Sequence, residues 1–271
     1  MPFGFTTVLA LIVGGLAIGT SLGLFGGGGT LLALPLLIVL GVAPKPAIAA
    51  SLLVVAATAA VAAAAHLRAG NVDWRATALF APASMLAAYA AGRIAERISE
   101  DVLVLLFAAL VVASAGAMLR RPAQHPASAT DPSALLLAAV GALGGALSGL
   151  VGAGGGTLYV PALALLAGLP IRRAIGTSLV VIVLVATSAL AGHLGHVDLP
   201  VGIAATVGGA AAVGAWLGQK LSRRAPERAL RTALALLLIV VAVWLLTRES
   251  HVAAWLQQPP AREVNTGGAG P

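Results

Sequence analysis

The chain contains no cysteine, which removes disulfides, thiolate metal sites and cysteine nucleophiles together and leaves the redox compartment unread. Charge is nearly as scarce, at 9% of the 271 residues. No acidic residue falls inside an apolar stretch, so coupling to Na⁺ through buried carboxylates has no candidate residues. A His-Glu-x-x-His pair, a P-loop, a Gly-x-Ser-x-Gly elbow and a carboxylate cluster are also missing, and ATP-driven coupling within the chain finds no support. An enzyme is not expected, and neither a cofactor nor a metal is implied. The first apolar stretch, 5–25, lacks a basic leader region and reads as a retained span rather than a cleaved signal.

What the chain has instead is hydrocarbon. Hydrophobic residues make up 59% of it and mean hydropathy is +1.01, so most of its length belongs in a bilayer. The net charge of +7 comes from Lys and Arg in short loops between apolar runs, where basic residues set topology; no nucleic-acid partner is expected.

Residues 1–44 and 132–171 are free of charge, and each run exceeds the roughly 20 residues that one membrane helix needs. Six further uncharged runs, at 46–67, 76–92, 102–119, 174–197, 199–219 and 232–247, are each near the length of one span. In the two long runs a Gly-rich break leaves only the short segments 30–42 and 157–169 on its far side, and segments this short read as re-entrant or half helices. The expected fold is all-α: a polytopic membrane protein of about eight transmembrane helices plus two short re-entrant or half helices, built as two homologous repeats.

The repeats are visible in the breaks themselves. Gly-Leu-Phe-Gly-Gly-Gly-Gly-Thr-Leu-Leu-Ala-Leu-Pro at 23–35 returns as Gly-Leu-Val-Gly-Ala-Gly-Gly-Gly-Thr-Leu-Tyr-Val-Pro at 149–161. Gly15, Gly19 and Gly23 return as Gly141, Gly145 and Gly149, at the spacing that lets helix backbones approach closely. The implied organisation is a first transmembrane repeat at 1–119, a polar, Pro-broken linker at 120–132, a second repeat at 133–250 and a disordered tail at 251–271. The sign of the loops favours parallel repeats. With four crossings and one non-crossing half helix per half, Lys45, Arg93, Arg97, Arg172, Arg173 and the basic stretch 220–231 share the cytoplasmic side, while Asp73 and Asp198 lie outside. Arg120, Arg121 and Arg248 are discordant with that arrangement.

A Gly-rich turn entering a helix presents unpaired N–H groups at the positive end of the helix dipole, which favours an anion. Backbone freed inside a membrane is tolerated only where protein buries it or it lines a cavity, and a duplicated break points to a transporter's binding centre. Gly26, Gly27, Gly28 and Gly29 with Thr30, and Gly152, Gly154, Gly155 and Gly156 with Thr157, supply such a turn twice. The alternative is a helix break that caps itself and binds nothing. Ser51, Thr177 and Ser178 recur early in the following spans, where their hydroxyls either line the cavity or bond back to a carbonyl one turn earlier. His66 and His193 close those spans and are candidates for proton coupling or gating, against a merely interfacial role. The two breaks are expected to meet near mid-membrane and hold one small anion between Thr30 and Thr157.

The paired phrase Gly-x-x-Gly-x-Gly-Gly, followed by Leu-x-x-Pro or Leu-x-Val-Pro and then by Ala-Ile-(Ala/Gly)-(Ala/Thr)-Ser-Leu, resembles the sulfite exporter TauE/SafE family over nearly the whole chain. That resemblance implies movement of sulfite, sulfoacetate or related sulfonates across the bacterial inner membrane. It falls on Gly26, Gly28, Gly29 and Pro35 and on Gly152, Gly154, Gly155 and Pro161. The first half departs by one residue between Thr30 and Pro35, so the two half-sites are expected to be unequal. The resulting expectation is a gradient-driven, multi-pass transporter of a small anion in contact with lipid, its assembly as a homodimer left open. The alternative is a non-transporting membrane scaffold or assembly subunit.

Overall fold

Proline and aspartate mark where the helices start. Pro44 opens one helix at its first position, where its missing N–H is no loss, Pro170 caps another, and the Asp73 side chain caps a third by accepting from the Ala76 N–H at 2.8 Å. A computed structural model describes residues 5–25, 28–119, 134–152 and 155–222. Its helices are α1 (Phe5–Phe25), α2 (Ala33–Val39), α3 (Pro44–Arg68), α4 (Trp74–Ala95), α5 (Glu100–Leu119), α6 (Ala134–Val151), α7 (Gly156–Leu165), α8 (Ile171–His193) and α9 (Val201–Ser222), with a 3₁₀ turn, Gly28–Leu32, ahead of α2. There is no strand among the described residues.

Five of these helices are long and apolar enough to cross a membrane: Pro44–Arg68, Trp74–Ala95, Ala134–Val151, Arg172–His193 and Val201–Leu221. Large apolar side chains such as Leu86, Leu135, Leu143 and Trp216 stand exposed on their outer faces, where lipid tails rather than water are the natural solvent. The chain is a multi-pass membrane protein, all-helical among the described residues. The expected span at 232–247, the linker at 120–132 and the tail at 251–271 lie outside the described residues.

Small residues hold the bundle together. A methyl group on Gly19 or Gly23 would run into the Ala211 or Ala215 carbonyl of α9, and one on Gly15 would stand 2.7 Å from the Val207 carbonyl oxygen. On α6, Gly145 and Gly149 meet the Ser84 and Ala88 carbonyls of α4 in the same way, and a methyl on Gly141 would be 2.8 Å from the Phe80 carbonyl oxygen. Between apolar helices in lipid there is little hydrophobic driving force, so this backbone-to-backbone approach supplies the dispersion contact that binds them. α3 lies at the centre, against both α8 and α9.

These contacts also fix direction. Gly15, Gly19 and Gly23 advance with Val207, Ala211 and Ala215, so α1 and α9 are parallel. Gly208 lies beside Val54, and Gln219 donates its Nε2–H to the Ala62 carbonyl at 3.1 Å, which carries α3 the same way. α4, α6 and α8 run oppositely: Gly141, Gly145 and Gly149 advance with Phe80, Ser84 and Ala88, the Asp73 N–H meets Thr177 near the start of α8, and Gly192 meets Tyr89 near its end.

The expectation that Lys45 and Arg172 share a side is therefore overturned. Lys45 donates to the Glu96 carbonyl at 2.8 Å, and the Glu96 carboxylate pairs with His196 Nδ1 at 3.2 Å, which gathers the ends of α4 and α8 around the start of α3. Gly176, beside Arg172 and Arg173 in sequence, packs instead on Asn71 and His66 at the far end of α3. Asp73 and Asp198 are likewise at opposite ends. The physical reason lies in the short segments. The 3₁₀ turn and α2 together cover only about 20 Å. They still carry the chain back to the end where α1 began, since α3 starts there parallel to α1; α7 does the same between α6 and α8.

Candidate functional site

The second break is a pair of left-handed glycines. Gly152, at φ 69°, ends α6 with its N–H bonded to the Ser148 carbonyl at 2.9 Å, and Gly155, at φ 63°, is the N-cap of α7. Only glycine takes both conformations without strain. The N-cap is a glycine and so has no side chain to cap the first N–H groups of α7. Thr157 is the second residue of that helix rather than its cap. The first break is built differently: Gly28, Gly29 and Thr30 form a 3₁₀ turn that runs directly into α2, with Thr30 fully buried. The two breaks are therefore unequal in backbone form. Gly26, Gly27 and Gly154 lie outside the described residues.

The breaks do not meet at one depth. The buried Ser51 hydroxyl, on the eighth residue of α3, donates to the Gly152 carbonyl at 3.0 Å and to the Ile48 carbonyl at 2.7 Å, which sets the second break about a third of the way in from the Lys45 end. α1 instead reaches its end near Ala215 and Gln219, and Gln219 bonds Ala62, six residues before the other end of α3. α1 and α6 each run past the middle before turning, and α7 leads from the second break toward the 3₁₀ turn of the first, which it touches.

Of the remaining sequence-derived candidates, His193 joins the second break. It is buried, and its Nε2 lies 2.8 Å from the Gly149 carbonyl oxygen, so that nitrogen carries the proton and donates. Ser178 bonds back to the Ile175 carbonyl at 2.8 Å. Thr177 accepts from the Asp73 N–H at 2.9 Å and ties α8 to α4 away from the second break, close to His66 at the end of α3.

Two residues that the sequence reading did not select stand at this break. Tyr159 is fully buried, its ring edge-on to Phe80 with centroids 5.2 Å apart, and a methyl group on Gly155 would sit 2.5 Å from its hydroxyl. Neither that hydroxyl nor the buried one of Ser148 makes a hydrogen bond of acceptable geometry. The Ser84 hydroxyl beside Tyr159 donates to the Phe80 carbonyl at 2.8 Å. An unpaired buried hydroxyl costs about 1–3 kcal/mol, so such groups call for an explanation. The available signal was the comparison between halves, since the residues 126 positions earlier are the apolar Leu22 and Ala33.

Among the described residues, the buried polar side chains are hydroxyls and His193, with no Lys, Arg, Asp or Glu. Formal charge gathers at the helix ends, where Arg93, Ile94, Glu96, Arg97 and His196 line a surface cavity of about 230 Å³. Hydroxyl and N–H donors at a helix N-terminus can hold an anion without a counter-charge.

The chain is similar to proteins described as membrane transporters. The chain is 36% identical to a probable membrane transporter protein of Xylella fastidiosa over 256 residues, covering 89% of this chain and 97% of the relative. It is 31% identical to one of Haemophilus influenzae over 260 residues, covering 87% and 96%. A third, from Methanocaldococcus jannaschii, is 27% identical over 265 residues, covering 91% and 98%. No solved structure matches significantly. The family profile described as sulfite exporter TauE/SafE matches residues 11–245, and the chain belongs to that family.

Proposed function

We propose that this protein is a gradient-driven transporter, not an enzyme, that moves a small oxyanion such as sulfite or an organosulfonate across the bacterial inner membrane. The carrying observation is the N-terminus of α7: a helix start with glycine at its N-cap, inside a bundle of apolar helices, with buried hydroxyls rather than carboxylates around it. The anion binds at the paired Gly-rich breaks, with Gly152, Gly155, Gly156 and Thr157 forming one station and Gly28, Gly29 and Thr30 the other. Ser51 and Ser178 brace the turns, and His193 and His66 serve as gating residues.

The architecture that fits is two inverted repeats. α1, α2, α3 and α4 correspond to α6, α7, α8 and α9, and the pairs α1 with α9 and α6 with α4 exchange under that correspondence. The Arg172 end carries Arg68, Arg75, Arg172, Arg173 and Lys220 against Lys45, Arg93 and Arg97 at the other, so it faces the cytoplasm.

Purified protein in liposomes is expected to move sulfite and methanesulfonate faster than empty vesicles, down an imposed anion gradient or against it when a proton gradient is applied. Flux equal to that of empty vesicles under every gradient would overturn the transport reading and favour a scaffold.

A further inference from the structure

We propose that Tyr159 and Ser148 are anion-binding residues that make the second break selective for oxyanions over anions that accept hydrogen bonds poorly. The proposal rests on the reading of the breaks as anion sites and adds the groups that recognise the ligand there.

The geometry brings the Tyr159 hydroxyl to the start of α7 and the buried Ser148 to the last turn of α6 before the break. Side chains on a helix lean toward its N-terminus, and Tyr159 stands four residues after Gly155, so its ring lies back over the first turn and its hydroxyl comes to rest against the Gly155 backbone. The ring is held there from two sides, edge-on by Phe80 and by Gly144 of α6, where any larger residue would strike it. Ser148 is one turn after Gly144 and therefore shares the face of α6 that looks at Tyr159. Both hydroxyls are fully buried, and neither makes a hydrogen bond of acceptable geometry among the described residues, although the Ser84 hydroxyl stands beside Tyr159. A ring fixed so firmly, with its polar tip unsatisfied beside a glycine N-cap, has the form of a preorganised donor. An oxyanion at the helix start accepts from the phenol, the serine and the backbone together, and satisfies all of them at once.

The first break has no equivalent pair. Leu22 and Ala33 occupy the matching positions and are buried and apolar. The two stations therefore differ in kind: the second discriminates by hydrogen bonding, and the first offers backbone and Thr30. A transporter with one selective and one permissive station releases what it has selected without passing a second tight site.

The test measures binding of methanesulfonate, a strong acceptor, and thiocyanate, a weak one, to the purified full chain by calorimetry. Tyr159→Phe keeps the ring and its packing. It is expected to weaken methanesulfonate at least tenfold with thiocyanate unchanged, and Ser148→Ala to act in the same direction, while neither ligand-free variant melts below wild type, since each loses a buried hydroxyl without a partner. Ser84→Ala separates a structural role, because a phenol that served only to pair with Ser84 would make this variant and Tyr159→Phe alike for both anions. That outcome, or wild-type selectivity in Tyr159→Phe, would overturn the proposal while leaving the anion site standing. Wild-type protein that binds neither anion would remove the anion site and this proposal together.

Discussion

The backbone N–H of Asp73 donates to the Thr177 hydroxyl at 2.9 Å, so that the start of α8 stands beside the start of α4 although the two residues are 104 positions apart. Lys45 and Arg172 consequently lie at opposite ends of the bundle. Because the natural chain has no cysteine, Lys45→Cys and Arg172→Cys can each be probed alone with an impermeant maleimide. Lys45→Cys is expected to label on intact cells and Arg172→Cys only after permeabilisation. Equal labelling of the two would contradict the helix directions; a clean reversal would keep the directions and invert the sidedness.

Gly19 should be among the least replaceable residues. Its α-carbon faces the Ala211 backbone, which cannot swing aside as a side chain can, so Gly19→Ala is expected to lose about 1–3 kcal/mol through overpacking. Gly209, on α9 with open space around it, is the control: Gly209→Ala should stay within about 1 kcal/mol of the parent. Thermal midpoints in detergent report both. Indistinguishable midpoints would mean that α1 and α9 do not pack through this stripe.

Ser51 and Gly152 should be energetically coupled. Ser51→Ala removes one shared hydrogen bond, worth about 0.5–1.5 kcal/mol. Gly152→Ala is expected to be worse, since it forces a side chain into a left-handed position and into the Ser51 hydroxyl. The double variant removes that hydroxyl, so its loss should be smaller than the sum of the two singles. Strict additivity in a denaturation cycle would show that the two residues do not touch.

The breaks were legible because glycine runs inside apolar stretches have few other uses, and a repeat at a fixed offset turns a weak signal into a strong one. The packing stripe was legible for the same reason: Gly15, Gly19 and Gly23 have one spacing and one physical meaning. Direction was not. It depends on whether α2 and α7, each too short to cross by itself, nonetheless return the chain to the end where α1 and α6 began, and only contacts between distant segments, such as Ser51 with Gly152 and Gln219 with Ala62, decide that. Arg68 and Arg75, which sit at the Arg172 end, reverse the charge argument once that geometry is known. Tyr159 was hidden inside the quoted motif because a lone aromatic in an apolar helix reads as core until its hydroxyl is found without a partner.

The charge of the substrate follows from what the buried groups lack. Moving an ion out of water costs energy that grows with the square of its charge, and no buried Lys or Arg is present among the described residues to offset a second negative charge. A monoanion is therefore expected. Sulfite flux in liposomes should fall as pH rises through neutrality, where bisulfite gives up its remaining proton, whereas methanesulfonate flux, singly charged throughout, should change far less. Sulfite flux that increases as the dianion forms would contradict a site built from neutral donors.

The position of a bound anion tests the account most directly. Selenite, the heavier congener of sulfite, can be located by anomalous scattering in crystals of the full chain. The expected result is a selenium peak at the start of α7, with selenite oxygens about 3 Å from the N–H groups of Gly155 and Gly156 and from the Tyr159 hydroxyl. A peak confined to the surface cavity of Arg93, Arg97 and His196, with the second break empty in protein that transports the anion, would contradict it.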